Sequence, residues 1–214
     1  MHALIMKFPA IVPAAALVLM ILSSSSSAAP VVWSSAQGGN NHAYELVLND
    51  VISWSGARDA ASASGGYLAT ETSAAEQQFI NAVLTAADAP TGQYWLGLRR
   101  VEGSPFGWDN GDAMMFSGWD AGEPNDYQGL EDSGAVLWSR SGDVDFGRRG
   151  SWNDSSEAGY ATGEHPGHPD LARAGFVIER DASLAVVPLP PAAYLFAPSA
   201  ALAFACWRRA NCRG

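Results

Sequence analysis

Apolar and polar positions change rhythm along the chain, and each rhythm predicts an element. From Ala43 to Asn49 the run AYELVLN mixes aromatic and β-branched residues and reads as a first strand. In SWSGARDAASASGG, Trp54, Ala57 and Ala61 recur at helical spacing behind Ser53 or Ser55 as N-cap, and Gly65-Gly66 stops the pattern. A second helix is clearer: Ser73 and Glu76 form a capping box ahead of Phe79, Ile80, Val83 and Leu84, with Pro90 beyond its end. From Tyr94 the period shortens. YWLGL reads as a buried strand and Asn110-Gly111 as a hairpin turn, while AMMFSGW leads into an acidic loop. GAVLW (134–138), a short element at SWND and RAGFVIER (173–180) supply further strands, with SRSGDVDFGRRG and SSEAGYATGEHPGHPD as polar connections. Two early helices followed by many short strands predict an α+β domain.

Both ends of the 214 residues differ from this middle. Lys7 precedes an apolar run from Phe8 to Leu22 and then SSSSSAAP, the layout of a secretory signal cut after Ala28 or Ala29, so residues 1–29 are assigned to a leader. From Leu184 to Trp207 there is no charge, enough to cross a bilayer, and Arg208-Arg209 follow as a cytoplasmic stop. The domain is therefore expected over 30–181, with 184–214 a separate tail. All 22 acidic residues lie between Glu45 and Asp181 against eight arginines, a balance of −14 where the whole chain carries −10. That excludes nucleic acid as a natural partner and favours cations. The two cysteines, Cys206 and Cys212, fall in the tail, so the domain must stand on packing and on metal. Tryptophans at 95, 108, 119, 138 and 152 can supply large buried area.

The acidic loop, GWDAGEPNDYQGLED (118–132), holds the candidate chemistry. Calcium takes about six to eight oxygens without strict geometry. Glu123 and Asn125 flank Pro124, Glu131 is near in sequence, and WND contributes Asn153 and Asp154, so five oxygen-bearing side chains from two loops can meet at one rim.

Ala43 to Arg180 resembles a C-type lectin-like domain: the YWLGL strand, the GEPN…ED loop, the WND strand and the closing FVIER strand stand in the family's order, with SWSGARDAASASGGYLAT and AAEQQFI supplying its two helices. The resemblance implies two helices with short antiparallel sheets and a long calcium-binding loop region. It assigns Glu123, Asn125, Glu131, Asn153 and Asp154 to the principal calcium and the carbohydrate, with the Asp154 carbonyl as an additional oxygen. It makes the bond before Pro124 cis, which aims its neighbours' side-chain carbonyls at the ion. Calcium then accepts two adjacent sugar hydroxyls, while the same acids and amides hydrogen-bond to them. The order EPN resembles the version that prefers mannose, glucose, fucose or N-acetylglucosamine to galactose. A second calcium in some members draws on the positions of Asp126, Glu131 and Asp132 plus an acid after the LGL strand; here that neighbourhood is Arg99-Arg100, with only Glu102 acidic. The family's disulfides are missing: Ser133 stands where a Cys is usual. The insert from Arg140 to Gly150 is longer than is common, long enough to cover the site at small thermodynamic cost.

Other readings are weaker. Trp119 and Trp152 could stack on sugars, but their positions favour the core. His165 and His168 have metal-like H-x-x-H spacing in a proline-bracketed loop that argues against a preorganised zinc pair. No nucleophile and base stand at a recognisable spacing, so the chain is read as a binder and not an enzyme. The competing class is an adhesion or matrix module that uses the same fold for a protein ligand. The tail resembles a VPLPA or PEP-CTERM sorting signal, with the motif at Val187, Pro188, Leu189, Pro190 and Pro191. That resemblance implies export, transient inner-membrane anchorage, cleavage by an exosortase-type protease, and release to the outside or the surface of a Gram-negative bacterium that makes exopolysaccharide. Single sugar sites of this kind bind near millimolar, about −4 kcal/mol, so retention needs clustering or oligomers.

Overall fold

The first described residues form a strand ladder, and the helices are acquired between later strands. The computed structural model describes residues 26–101, 104–140, 149–164 and 168–184. Its elements are β1 (Ser26–Ser27), β2 (Val31–Trp33), β3 (His42–Leu48), α1 (Trp54–Ala63), β4 (Tyr67–Leu68), α2 (Ala74–Ala86), β5 (Gly92–Arg99), β6 (Gly107–Trp108), β7 (Glu131–Trp138), β8 (Trp152–Ser156) and β9 (Arg173–Asp181). The strands join in one sheet, ordered β1-β3-β9-β5-β7-β8, with β2 on β3, β4 on β9 and β6 on β5. β5 and β9 run parallel and the remaining pairs antiparallel, so the α+β class holds with a mixed sheet at its centre.

Helix α1 is capped by Ser53, whose hydroxyl accepts from Gly56 N at 3.1 Å. Trp54, Ala57 and Ala61 are its buried stripe, as the spacing predicts, and Gly65 ends it with φ 79°. In α2 the Ser73 hydroxyl accepts from Glu76 N at 3.2 Å, one half of the capping box. The other half differs: the Glu76 carboxylate accepts from Thr72 N at 2.8 Å and from the Tyr44 hydroxyl at 2.5 Å. A buried phenol needs an acceptor, and Tyr44 claims this one.

The Asn110-Gly111 turn forms, with Gly111 N donating to Trp108 O at 3.0 Å, but no strand follows it over residues 111–118. The expected hairpin is therefore absent. Met114 and Met115 point outward and Phe116 turns in against Trp152, so the stretch presents no continuous apolar face to pair. Strand β7 begins at Glu131, three residues before GAVLW, which puts Glu131 on the sheet.

Successive residues of β5 serve opposite faces. Tyr94, Leu96 and Leu98 join a core with Tyr44, Ile80, Leu84, Val136 and Trp152, while Trp95 joins Trp54, Ala57, Phe176 and Ile178. Covering on both faces explains why YWLGL is apolar throughout. Among the five expected tryptophans, 95, 108, 138 and 152 are buried, and Trp119 is half-buried against Trp152.

Ser26 and Ser27, within the stretch assigned to the leader, pair with Leu48 and Val47. Residues 1–25, Glu102, His165, and the tail from 185 on, with Cys206, Cys212 and the motif at 187–191, lie outside the described residues. Among those described, no helix is long and apolar enough to cross a membrane.

Trp152 is ringed edge-on by Trp108, Phe116 and Trp119 at 5.4, 5.5 and 5.6 Å, and its indole N–H donates to Glu71 Oε2 at 2.5 Å. Complete burial pushes the Glu71 carboxyl up to about 8, against the opposing pull of the Trp152 and Gln77 hydrogen bonds. An acid with a raised folded pKa keeps its full contribution below the unfolded value of 4.5 and loses it as pH climbs to about 8. Glu71→Gln cannot ionise, so it should match the wild type at pH 4.5 and exceed its stability at pH 8, by an amount on the order of a few kcal/mol. Paired melting curves across that window test this; parallel curves for the two proteins would refute it.

Candidate functional site

The acidic loop is sewn onto β8 on both sides of Trp152. Trp152 N donates to Gly118 O at 2.7 Å, and Asp120 N donates to Trp152 O at 2.9 Å. Gly118 is required for this approach, because a Cβ there would lie 2.4 Å from Gln77 Nε2 and 2.8 Å from the Trp152 ring. Glu123 N then donates to Asp120 O at 3.1 Å, and the Glu123–Pro124 bond is cis, as the resemblance implies. Asn125 N and Asp126 N donate to the two carboxylate oxygens of Asp154 at 3.1 and 2.9 Å. Asp126 and Gln128 adopt positive φ, and the turn closes through Gly129 N to Asp126 O at 2.7 Å and Tyr127 N to Glu131 Oε2 at 2.8 Å.

The β7–β8 register, Gly134 opposite Asp154 and Ala135 opposite Asn153, completes the assembly. Glu123, Asn125, Glu131 and Asn153 line one cavity of about 310 Å³. Asp154 is fully buried behind them, its carboxylate bracing the loop N–H groups and its carbonyl accepting from Asn153 Nδ2. The structure thus gathers all five predicted residues, with Asp154 as the brace.

Four other residues complete the wall: Tyr127, Tyr160, His168 and Leu171. The Tyr160 hydroxyl donates to Glu131 Oε1 at 2.7 Å. A lone aromatic in the small, polar connection after WND was the available clue to Tyr160. His168 stood in the H-x-x-H pair but lines this cavity instead. Nothing in the sequence marked Leu171. The described ends of the Arg140–Gly150 insert do not line the cavity: Arg140 N donates to Thr91 Oγ1 at 2.9 Å and Arg149 lies 4.5 Å over the Trp138 ring. Among the described residues, the connection that follows β8 is the one that adds to the wall, through Tyr160, His168 and Leu171.

The electrostatics are those of a donor set short of positive charge. Burial first, then Asp154 and Glu131, push the Glu123 carboxyl up to about 7, and its Oε2 is buried with no hydrogen-bond partner. Glu131 is also raised by burial, while Tyr160 and the Tyr127 N–H hold it down. Among the described residues no three carboxylate, imidazole or thiol groups are placed to hold a metal alone. A cation here must also take the amide oxygens of Asn125 and Asn153, which suits calcium. The acids expected at a second ion, Asp126, Glu131 and Asp132, line a second cavity together with Arg100, and there Asp126 Oδ1 lies 2.8 Å from Arg100 and Asp132 Oδ1 3.3 Å from Arg99.

A sheet carrying two helices, with a cis Glu-Pro-Asn loop braced on an Asn-Asp strand, is the architecture of a C-type lectin fold. The lectin C-type domain profile matches residues 50–158, half of the chain, and the chain belongs to that family. C-type lectin domain family 4 member G of Mus musculus is 39% identical over 66 residues, 29% of this chain and 19% of that protein, so the match spans about a fifth of the relative's length. The solved EPNH mutant of CEL-I, a lectin from Cucumaria echinata, is similar at TM-score 0.50 and 26% identity, over 66% of this chain and 90% of that one. Human lithostathine, at TM-score 0.50 and 15% identity over 66% of this chain and 84% of that one, shares the fold.

Asp154→Ala removes the acceptor for two loop N–H groups and a negative neighbour of Glu123. In calcium-free buffer it should cost about 2–4 kcal/mol by urea denaturation, and NMR titration should show Glu123 ionising below its wild-type midpoint. An unchanged Glu123 midpoint would refute the contribution of Asp154 to its shift.

Proposed function

We propose that residues 30–181 form a calcium-dependent carbohydrate-binding domain for mannose-type sugars. The observation that carries this reading is the buried, unpartnered Oε2 of Glu123, pressed by Asp154 and Glu131 in a cavity lined by Asn125 and Asn153. Glu123, Asn125, Glu131 and Asn153 would hold one calcium, with Asp154 completing the set. When bound, the ion supplies a positive centre for two adjacent sugar hydroxyls. The chain's own groups do the reading: carboxylates accept from those hydroxyls and Asn amides donate to them, so each hydroxyl is engaged in both senses. Glu123 and Asn125 in that order support mannose over galactose, and the EPNH mutant of CEL-I shares by its title the Glu-Pro-Asn run that Asp126 follows here. The ligand class includes exopolysaccharide.

A protein ligand is the second reading, favoured by Tyr127 and Leu130, which are 54% and 63% exposed beside the cavity. Retention on mannose resin with calcium, lost on chelation, separates the two. Calorimetry should give calcium binding to the wild type and none to E123A/N153A. At a hundredfold excess over the dissociation constant, calcium should stabilise the fold by about 2.7 kcal/mol. E123Q/N125D exchanges accepting and donating groups and should weaken mannose. Binding indifferent to chelator, or galactose preferred by the wild type, would overturn the sugar reading.

The flanks complete the proposal: export by the leader, inner-membrane arrest by the tail, cleavage near 187–191 and display outside the cell. A chain ending at Asp181 should bind calcium as the longer one does, and mass spectrometry of the extracellular form should find its last residue between Val187 and Pro191. An extracellular protein that retains Gly214 would refute processing.

A further inference from the structure

We propose that Arg100 is the built-in cation of the loop's outer acids and takes the place of a second calcium, so that this chain binds a single ion. This rests on the calcium reading of the Glu123 cavity, and it concerns a different cavity, of about 610 Å³, lined by Arg100, Ser104, Asp126, Leu130, Glu131 and Asp132 among others.

One Arg100 nitrogen reaches both Asp126 Oδ1 at 2.8 Å and the Glu131 carbonyl at 2.7 Å, and Arg100 N donates to the Asp132 carbonyl at 2.8 Å. The guanidinium therefore touches both ends of the 126–131 turn, one carboxylate and one carbonyl, oxygens of the kind a hard cation collects. It is aimed by its stem, with the guanidinium 5.2 Å from the Phe106 ring centre. Arg99 neutralises the neighbouring acids in the same way: Asp132 at 3.3 Å and Glu157 at 2.5 Å, with a hydrogen bond to Ser133 Oγ at 2.6 Å. A dication placed between Asp126 and Asp132 would meet two fixed positive charges at close range.

The turn so pinned carries the site. Asp126 Oδ1 also accepts from Glu131 N at 3.2 Å, and Asp126 N donates to Asp154 Oδ2 at 2.9 Å, so the arginine acts on two members of the ligand set through Asp126. Two positive-φ residues, Asp126 and Gln128, are held inside the turn. A guanidinium stays charged and cannot dissociate, so the turn keeps its shape whether or not calcium is present. Arg100 is thus a positioning residue.

The test compares wild type, R100Q and R100K by amide hydrogen exchange in chelator and by counting bound calcium. In chelator, the amides of Tyr127, Gly129 and Glu131 should exchange at least tenfold faster in R100Q than in the wild type. Calcium should restore their protection while R100Q takes up one ion more than the wild type. R100K keeps the charge and should keep the wild-type count. Unchanged exchange in R100Q, faster exchange without an extra ion, an extra ion in R100K, or two ions in the wild type would each overturn the proposal. A wild type that binds none while R100Q binds one would sink the calcium reading of the Glu123 cavity, and the count of one ion with it, while the replacement of an outer calcium by Arg100 would stand. If R100Q loses its near-ultraviolet circular dichroism, D126N breaks the same pair from the acid side: its turn amides should exchange faster with no ion gained, and unchanged exchange there would equally overturn the proposal.

Discussion

The site depends on the burial of one indole. Trp152 fills the space beneath three aromatic rings, while its main-chain N–H donates to Gly118 O and its carbonyl accepts from Asp120 N. Because the ring cannot leave its apolar socket, the two residues after it, Asn153 and Asp154, are delivered to fixed positions on β8. The loop that supplies Glu123 and Asn125 is hung from the same residue. A domain with no cysteine among its described residues thus achieves by ring packing the loop attachment that a covalent link could provide.

Against that apolar anchor, the polar half of the site stores repulsion. Asp154 and Glu131 sit close enough to Glu123 to raise its proton affinity, and the fold tolerates them because each has N–H or O–H donors of its own. Asp154 is satisfied by the loop backbone and Glu131 by Tyr127 and Tyr160, whereas Glu123 keeps one buried oxygen, Oε2, without a partner, which singles out the oxygen at which an added cation gains most. One turn away, the acids face arginine. The same acidic loop is therefore electrostatically divided, with an inner set left open to a cation and an outer set already neutralised.

The parts readable in sequence were those fixed by local rules. Trp54, Ala57 and Ala61 mark a helix face by spacing alone, Ser73 caps because the N–H of Glu76 lies one turn ahead, and Glu123, Asn125, Asn153 and Asp154 stand in short linear motifs. The parts that escaped depend on where distant segments meet. Tyr160, His168 and Leu171 reach the cavity only because the connection after β8 passes over it. The Glu76 carboxylate goes to Thr72 and Tyr44, contacts that no capping rule contains. Arg99 and Arg100 were visible as a departure from the family's acids, but their pairing with Asp132 and Asp126 required the path of the loop.

The ring cluster also has an optical consequence. Trp108 and Trp119 meet Trp152 at interplanar angles of 82° and 83°, with centres under 6 Å apart. Indoles so close and so steeply crossed share their electronic excitations, which gives a chiral doublet in circular dichroism that separated tryptophans do not show. Since Trp119 belongs to the acidic loop and Trp152 to the strand that braces it, the share of the signal that the Trp119–Trp152 pair contributes reports whether loop and strand are joined. The molecule carries its own label at the junction where ligand binding would be felt.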